Sequence, residues 1–345
     1  MWITSSLNTA RTPTVVALGN FDGVHRGHQR VLAPILQESC RDQQDPLAPG
    51  SVATSLEHQP SPPSELQGGD RSSDDQQAQG DRPLRTVVTF FPHPREFFAG
   101  ERRLLLTPLD EKVRELAKLG IEQLVLLPFD QGLAQLTPQE FVQRILVDGL
   151  GARHISVGED FCFGRDRSGT TADLRAIAAT FGVQVTVVPL YADGGDRISS
   201  SAIRDALGLG NIARANHLLG RPYALTGTVV QGQQLGRTLG FPTANLETPP
   251  QKLLPRQGVY AVWVDLDGTL HPGVMNLGHR PTVNGLQQTL EVHLLDWSGD
   301  LYHRRLSVFL RHFLRPEQKF DSLDALKDQI QADCQMAHHL LTAPG

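Results

Sequence analysis

The sequence predicts an α/β fold built on a parallel sheet, followed by a smaller antiparallel β unit that ends in a helix. Three observations predict it. Short β-branched apolar runs alternate with helical patterns from Thr14 to about Leu219, the character changes to strands and turns after Gly220-Arg221-Pro222, and an apolar stripe at helical spacing closes the chain. At 345 residues the chain exceeds one average domain, so two domains with separate cores are expected, residues 1–219 and 220–345.

The expected strands of the first unit are TVVAL from Thr14, TVVTFF from Thr86, QLVLLPF from Gln123, HISVG from His154 and VQVTVVPL from Val183. Thr107-Pro108-Leu109-Asp110 and Thr137-Pro138-Gln139-Glu140 each offer a hydroxyl cap, a proline at the first helical position and an acid three residues on. After the first of these, Leu109, Val113, Leu116 and Ala117 form one apolar face, and Gly120 ends the helix. Residues 41–84 break the pattern. They contain no aromatic residue and are dominated by Gln, Ser, Asp, Gly and Pro, so they read as a disordered insertion that cannot offset its ordering entropy.

In the second unit, GVYAVWVDLDGTLHPGVMNLG from Gly258 reads as a hairpin with Asp267-Gly268 at its tip. TLEVHLLDWSGDLYHRRLSVFL from Thr289 reads as a second pair around Trp297-Ser298-Gly299-Asp300. Ser322 then caps a terminal helix with Leu323, Leu326, Ile330 and Cys334 on one face. The unit is therefore a small antiparallel barrel or sandwich.

Composition excludes several classes. A net charge of -5 gives no footprint for general nucleic-acid binding, although a local basic pocket for a nucleotide is allowed. No apolar run approaches the ~20 residues needed to span a bilayer, and MWITSSLNTARTP at the start has no apolar signal core. Cys40, Cys162 and Cys334 are far apart and fit reduced thiols, so a cytoplasmic protein is expected, with no membrane and no nucleic-acid partner. A homo-oligomer is allowed but nothing in the sequence requires it.

Two motifs carry chemistry in the first unit. GNFDGVHRGH, Gly19 to His28, follows the first strand and opens a helix, which puts His25 and His28 beside unpaired backbone N–H groups where anions bind. Two imidazoles there can donate to phosphate oxygens, and Gly27 lets a nucleotide approach the backbone. Half of a metal site is an alternative, but no nearby cysteine or third histidine completes it. RISSSAIR, Arg197 to Arg204, begins another helix and brings hydroxyls and two guanidinium groups, or simply an N-cap run.

Together GNFDGVHRGHQ, FFPHP, VGEDFCFGRDRSG and RISSSAIR resemble the Rossmann-like nucleotidyltransferase half of the bacterial bifunctional riboflavin kinase/FMN adenylyltransferase family. The resemblance implies that FMN attacks the α-phosphorus of ATP to give FAD and pyrophosphate. It implies ATP-phosphate contacts from His25 and His28, further ATP contacts from Gly19, Phe21, Gly27, Asp160, Arg197, Ser200 and Ser201, and flavin contacts from Pro92, His93 and Pro94. The family usually has Thr where Ser201 stands, which keeps the hydroxyl.

GFPTAN, Gly240 to Asn245, is extended at Pro242, so Thr243 and Asn245 point the same way and offer two neutral oxygens suited to Mg²⁺, or cap a turn. Glu291 alternates with Val292 in LEVHLL and shares a face with His293. These segments, with GVYAV, NLGHRPTV and LRPEQKFDSL, resemble the small antiparallel β-barrel riboflavin kinase module with its C-terminal helix. The resemblance implies that Thr243 and Asn245 bind Mg²⁺ and ATP phosphate and that Glu291 takes the proton of the riboflavin ribityl hydroxyl. The glycine loop Gly232-Gln233-Gln234-Leu235-Gly236 departs from the family in lacking acidic and basic residues, which leaves Arg237 as the phosphate contact. The rival readings are an adenylyltransferase with a decayed kinase half and a flavin-binding regulatory protein.

Overall fold

A computed structural model describes residues 1–38, 82–193, 196–232, 235–282 and 285–343. Strands β1 (Trp2–Thr4), β2 (Thr14–Leu18), β3 (Leu84–Phe91), β4 (Gln123–Pro128), β5 (Ala152–Gly158) and β6 (Gln184–Val188) form one parallel sheet in the order β1-β4-β3-β2-β5-β6. Between and after them run α1 (Arg26–Glu38), α2 (Pro94–Ala99), α3 (Leu109–Lys118), α4 (Gln131–Ala134), α5 (Pro138–Glu140), which continues into wide π turns over Phe141–Gly149, and α6 (Thr171–Thr180). A short ladder, β7 (Ala192–Asp193) with β8 (Asp196–Arg197), precedes α7 (Ser200–Gly208) and α8 (Ile212–Leu219).

The near-continuous apolar strands follow from burial on both faces. Val15 and Ala17 of β2 pack with Leu32 and Ile35 of α1, while Val16 and Leu18 pack with Phe141, Ile145 and Leu146 on the other side. Thr137 caps α5 reciprocally with Glu140, as its spacing predicts. Thr107 does not cap α3. Its hydroxyl is buried and accepts from the Gly23 amide at 2.8 Å, so Pro108 stands at the cap position with no side-chain bond. Ala117 is also exposed rather than part of the apolar face, and Glu111 is buried in the same helix.

The insertion expected at 41–84 lies outside the described residues as far as Asp81. Its last three residues belong to the fold: Arg82 pairs with Glu122, Pro83 is buried and Leu84 starts β3. Strand β1 carries no recognisable pattern in three residues and is held at the sheet edge by pairing Trp2 to Thr4 along Gln123 to Val125.

Strands β9 (Ala224–Val230), β10 (Ala244–Glu247), β11 (Gly258–Leu266), β12 (Thr269–Thr282), β13 (Gly285–Leu294) and β14 (Arg305–Arg315) close an antiparallel barrel in the order β10-β13-β12-β11-β14-β9. The short α9 (Leu235–Leu239) joins β9 to β10, and α10 (Leu323–Thr342) follows β14. The Asp267-Gly268 hairpin forms, with both residues at positive φ and Leu266 opposite Thr269. The second pair around Trp297 does not. β13 is bonded to β12 and β10, β14 to β11 and β9, because closing the barrel uses both edges of each strand.

Alternation within the barrel strands sets the site. Tyr260, Val262, Val264, Leu290, Val292 and Leu294 point inward, whereas Val259, Ala261 and Val274 meet Ala337 of α10 on the outside. Ser322 caps α10, but Leu323 is exposed and only the following apolar residues face the barrel. The two cores are not separate. Ile203, Leu207, Ile212, Leu218 and Leu219 of α7 and α8 belong to the same apolar cluster as the barrel interior.

Candidate active sites

The first site sits where β2 ends. Its turn has Phe21, Gly23 and Val24 at positive φ, and the His25 ring then caps α1 by accepting the His28 amide at its Nδ1, 3.2 Å away. That bond fixes the neutral tautomer with its proton on Nε2. The two imidazoles stack with centroids 3.6 Å apart and planes 16° from parallel. Burial pushes His25 down to about 4, Asp22 opposing and Arg221 adding, and puts His28 well below the ordinary imidazole value, with His25, Lys112 and Arg221 contributing. Both rings are therefore neutral donors near pH 7. His28 Nδ1 and Asn20 Oδ1 are buried without a protein partner.

Asp22 organises the turn. Its Oδ1 accepts from Leu106 N at 2.8 Å and Thr107 N at 3.2 Å, its Oδ2 meets Arg204 at 2.5 Å, and its carbonyl accepts the Ser200 hydroxyl at 2.8 Å. RISSSAIR thus reaches the histidine turn through Ser200 and Arg204, while Ser199 serves as the cap of α7 and Ser201 is exposed. Arg197 pairs with Asp160 at 2.5 Å on the exposed rim. Phe21 is 1% exposed and packs against His28 with ring centroids 5.2 Å apart, so only its backbone is open to a ligand. Gly27 sits close against the His25 ring: a Cβ there would stand 3.1 Å from it, tight enough to press on the imidazole.

FFPHP leads into α2, capped by His93 in a reciprocal bond with Glu96. Burial, then Arg103, holds His93 down to about 4, with Glu96 and Asp22 opposing. Pro92 is exposed and Pro94 half-buried beside an aromatic cluster of Phe90, Phe97, Phe98 and Phe129, with Phe91 60% and Phe98 72% exposed.

The second site is a cavity of about 390 Å³ between the outer barrel face and α10. Glu291 stands level with Asn245 on one neighbouring strand and Asn276 on the other. Thr243, Asn245, Asn276 and Glu291 line one side, Leu326, Ile330 and Cys334 of α10 the other. His293 accompanies Glu291 and its Nδ1 lies 2.7 Å from the Pro242 carbonyl. Arg315 clamps Asp333 of α10 through Nε and Nη2, the shortest contact being 2.7 Å, which ties the roof to the barrel. Burial pushes the Cys334 thiol up to about 11, so it is inert lining.

A second cavity, about 620 Å³, adjoins this one and shares Asn245; Gly232, Thr248, Pro249 and Thr289 are among its walls. The glycine loop lies tightly on the neutral oxygens. A Cβ at Gly232 would overlap the Asn245 amide at 2.1 Å, and one at Gly236 would come 3.2 Å from Thr243 Oγ1. Gln233, Gln234 and the Arg237 side chain lie outside the described residues. Among the described residues no group of three His, Cys, Asp or Glu side chains could hold a metal ion.

Two family models divide the chain along these two sites: FAD synthetase matches residues 7–60 and 73–202, and riboflavin kinase matches 219–341. The chain belongs to the bifunctional riboflavin kinase/FMN adenylyltransferase family. It is 41% identical over 321 residues to the enzyme of that name from Escherichia coli (strain K12), covering 92% of this chain and 90% of the relative. With the Bacillus subtilis (strain 168) enzyme the identity is 32% over 333 residues, 94% and 91% of the two chains. A solved chain described as a macrolide-efflux protein from Streptococcus pneumoniae has the same fold, with TM-score 0.78 and 29% identity over 97% of this chain and 98% of its own. No helix among the described residues is long and apolar enough to cross a membrane.

As a member of this family the protein phosphorylates riboflavin to FMN with ATP and adenylylates FMN to FAD. Sequence reasoning passed over Asp22, Asn276 and the Arg315–Asp333 clamp. Asp22 sat in the quoted motif, an acid between glycines in an anion-binding turn, and could have been found; Asn276 and the clamp depend on barrel register.

Proposed function

We propose that the two reactions use separate sites, FAD formation within residues 1–219 and FMN formation within 220–345, in a cytoplasmic enzyme. The observation that carries this division is the position of Glu291, level with Asn245 in the cavity under α10, on a different element and a different sheet from the stacked His25 and His28.

In the first site the FMN phosphate forms a new P–O bond to the ATP α-phosphorus while the bond to pyrophosphate breaks. The nucleophile is already anionic, so positioning and charge stabilisation suffice. His25 Nε2–H and His28 donate to phosphate oxygens, and the backbone of Gly19, Phe21 and Gly27 lines the approach. Arg197, released from Asp160, the backbone N–H of Ser200 at the start of α7 and the exposed Ser201 hydroxyl hold the triphosphate side. Pro92, His93, Pro94 and the exposed rings of Phe91 and Phe98 flank the isoalloxazine.

In the second site the nucleophile is an alcohol. Glu291 accepts the ribityl proton as the oxygen bonds to the γ-phosphorus and ADP departs. Riboflavin fills the cavity under α10, and ATP enters from the cavity on the other side of Asn245. The hard, neutral oxygens of Thr243 and Asn245, cradled where a Cβ at Gly232 would not fit, suit Mg²⁺. Thr243 and Asn245 would hold it, and when bound it would neutralise phosphate charge. Arg237 adds a phosphate contact.

The test incubates the purified chain with Mg²⁺-ATP and either riboflavin or FMN and resolves the flavins chromatographically. FMN and FAD from riboflavin, with FAD from FMN, support the reading. FAD from FMN but no product from riboflavin would contradict the role given to the barrel site.

A further inference from the structure

Beside the apolar cluster that α7 and α8 share with the barrel, the two halves also touch at a short strap, residues 104–107. Leu105 makes a strand-like bridge to Lys252, with Leu105 N to Gln251 O at 2.6 Å and Leu253 N to Leu105 O at 2.8 Å. Lys252 is 3% exposed, yet carries an ammonium into this interface. Its Nζ donates to Leu106 O at 2.7 Å and to Glu111 Oε2 at 2.5 Å, and lies 4.3 Å from the centre of the Tyr223 ring.

Burying that charge is costly, and an apolar side chain of similar volume would pack as well. What the charge adds is direction. The peptide unit joining Leu106 to Thr107 accepts Lys252 at its carbonyl and donates its N–H to Asp22 Oδ1 at 3.2 Å. A peptide unit is planar and stiff, so fixing one end orients the other. Leu106 N donates to the same oxygen at 2.8 Å, and Thr107 Oγ1 accepts from Gly23. From Asp22 and Gly23 the chain runs directly into the turn that presents His25 and His28.

We propose that Lys252, a residue of the kinase half, is a positioning residue for adenylyl transfer: it holds the Leu106–Thr107 peptide, which holds Asp22 and with it the histidine turn. This rests on the assignment of that turn to FAD formation. The rate of the second reaction therefore depends on a side chain of the domain that performs the first.

The test compares full-length variants for FAD formation from FMN and FMN formation from riboflavin. Lys252 borders the second cavity but spends its Nζ on Leu106 O and Glu111. Lys252→Met is therefore expected to lower kcat for FAD about tenfold, with KM for FMN and the kinase kcat at saturating Mg²⁺-ATP within about twofold. Because Lys252→Met leaves Glu111 buried and unpaired, the paired variant Lys252→Met/Glu111→Leu carries the same test in a restored apolar packing. It is expected to fold and to stay as slow in FAD formation. In an Asp22→Asn background Lys252→Met is expected to add less than about a twofold further loss, because neighbours acting through one path are not additive. Recovery of FAD formation in the paired variant would overturn the proposal, since the lysine would then serve only to neutralise Glu111. So would an equal loss of both activities in a folded variant, or independent effects of Lys252 and Asp22. His28→Ala is measured alongside: unimpaired FAD formation there would instead overturn the assignment of the turn.

Discussion

The two proposed sites handle the same co-substrate with opposite chemistry. At the end of the parallel sheet, phosphate meets a helix start, two neutral imidazoles and a buried carboxylate that is fully occupied by backbone N–H groups and Arg204. On the barrel, the neutral oxygens of Thr243 and Asn245 stand beside Glu291, whose carboxylate faces a cavity. The difference follows from the nucleophile. A phosphate needs no base, and its site keeps its acid locked away; an alcohol needs one, and its site leaves the acid open to substrate.

Glu291→Gln strikes the contrast hardest. It should lower riboflavin phosphorylation about 10³-fold and leave FAD formation from FMN unchanged; unimpaired kinase turnover would remove Glu291 from the base role. His28→Ala should lower FAD formation about 10²-fold with the kinase intact. Steady-state assays with each flavin check both. Asn245→Ala should raise the KM for Mg²⁺-ATP in the kinase reaction about tenfold, with no change in that of FAD formation.

The smallest effect is on stability. The folded protein keeps His25 neutral down to about 4, and burial holds His28 well below the ordinary imidazole value, whereas the unfolded chain takes up these protons near 6.5. Unfolding between those pH values therefore binds protons, and stability falls as pH drops through that window. His25→Gln should flatten the fall in Tm between pH 6.5 and about 4, by an amount on the order of a few degrees. An unchanged slope would mean the imidazole is protonated in the folded state.

Both motifs were legible because each is contiguous and lies where strand meets helix or loop. His25 and His28 needed only ten residues of chain, and Glu291 with His293 needed only the alternation of one strand. What failed depends on distant partners. The Thr107 cap was a sound local pattern, defeated by a Gly23 amide that local sequence cannot bring near. The hairpin around Trp297 was likewise sound locally, but barrel closure sends β13 and β14 to other neighbours. Asn276 becomes visible as a site residue only once β12 is aligned on β13. Lys252 looks like an ordinary solvated lysine until the two halves meet.

The central claim is that one chain holds two separate sites linked by FMN, which leaves one and enters the other. Mixing His28→Ala with Glu291→Gln and supplying riboflavin and Mg²⁺-ATP tests it most directly. Neither variant alone should make appreciable FAD from riboflavin, and the mixture should make it readily, with FMN passing from one protein to the other. Failure of the mixture, when each variant retains its own remaining activity, would contradict the account.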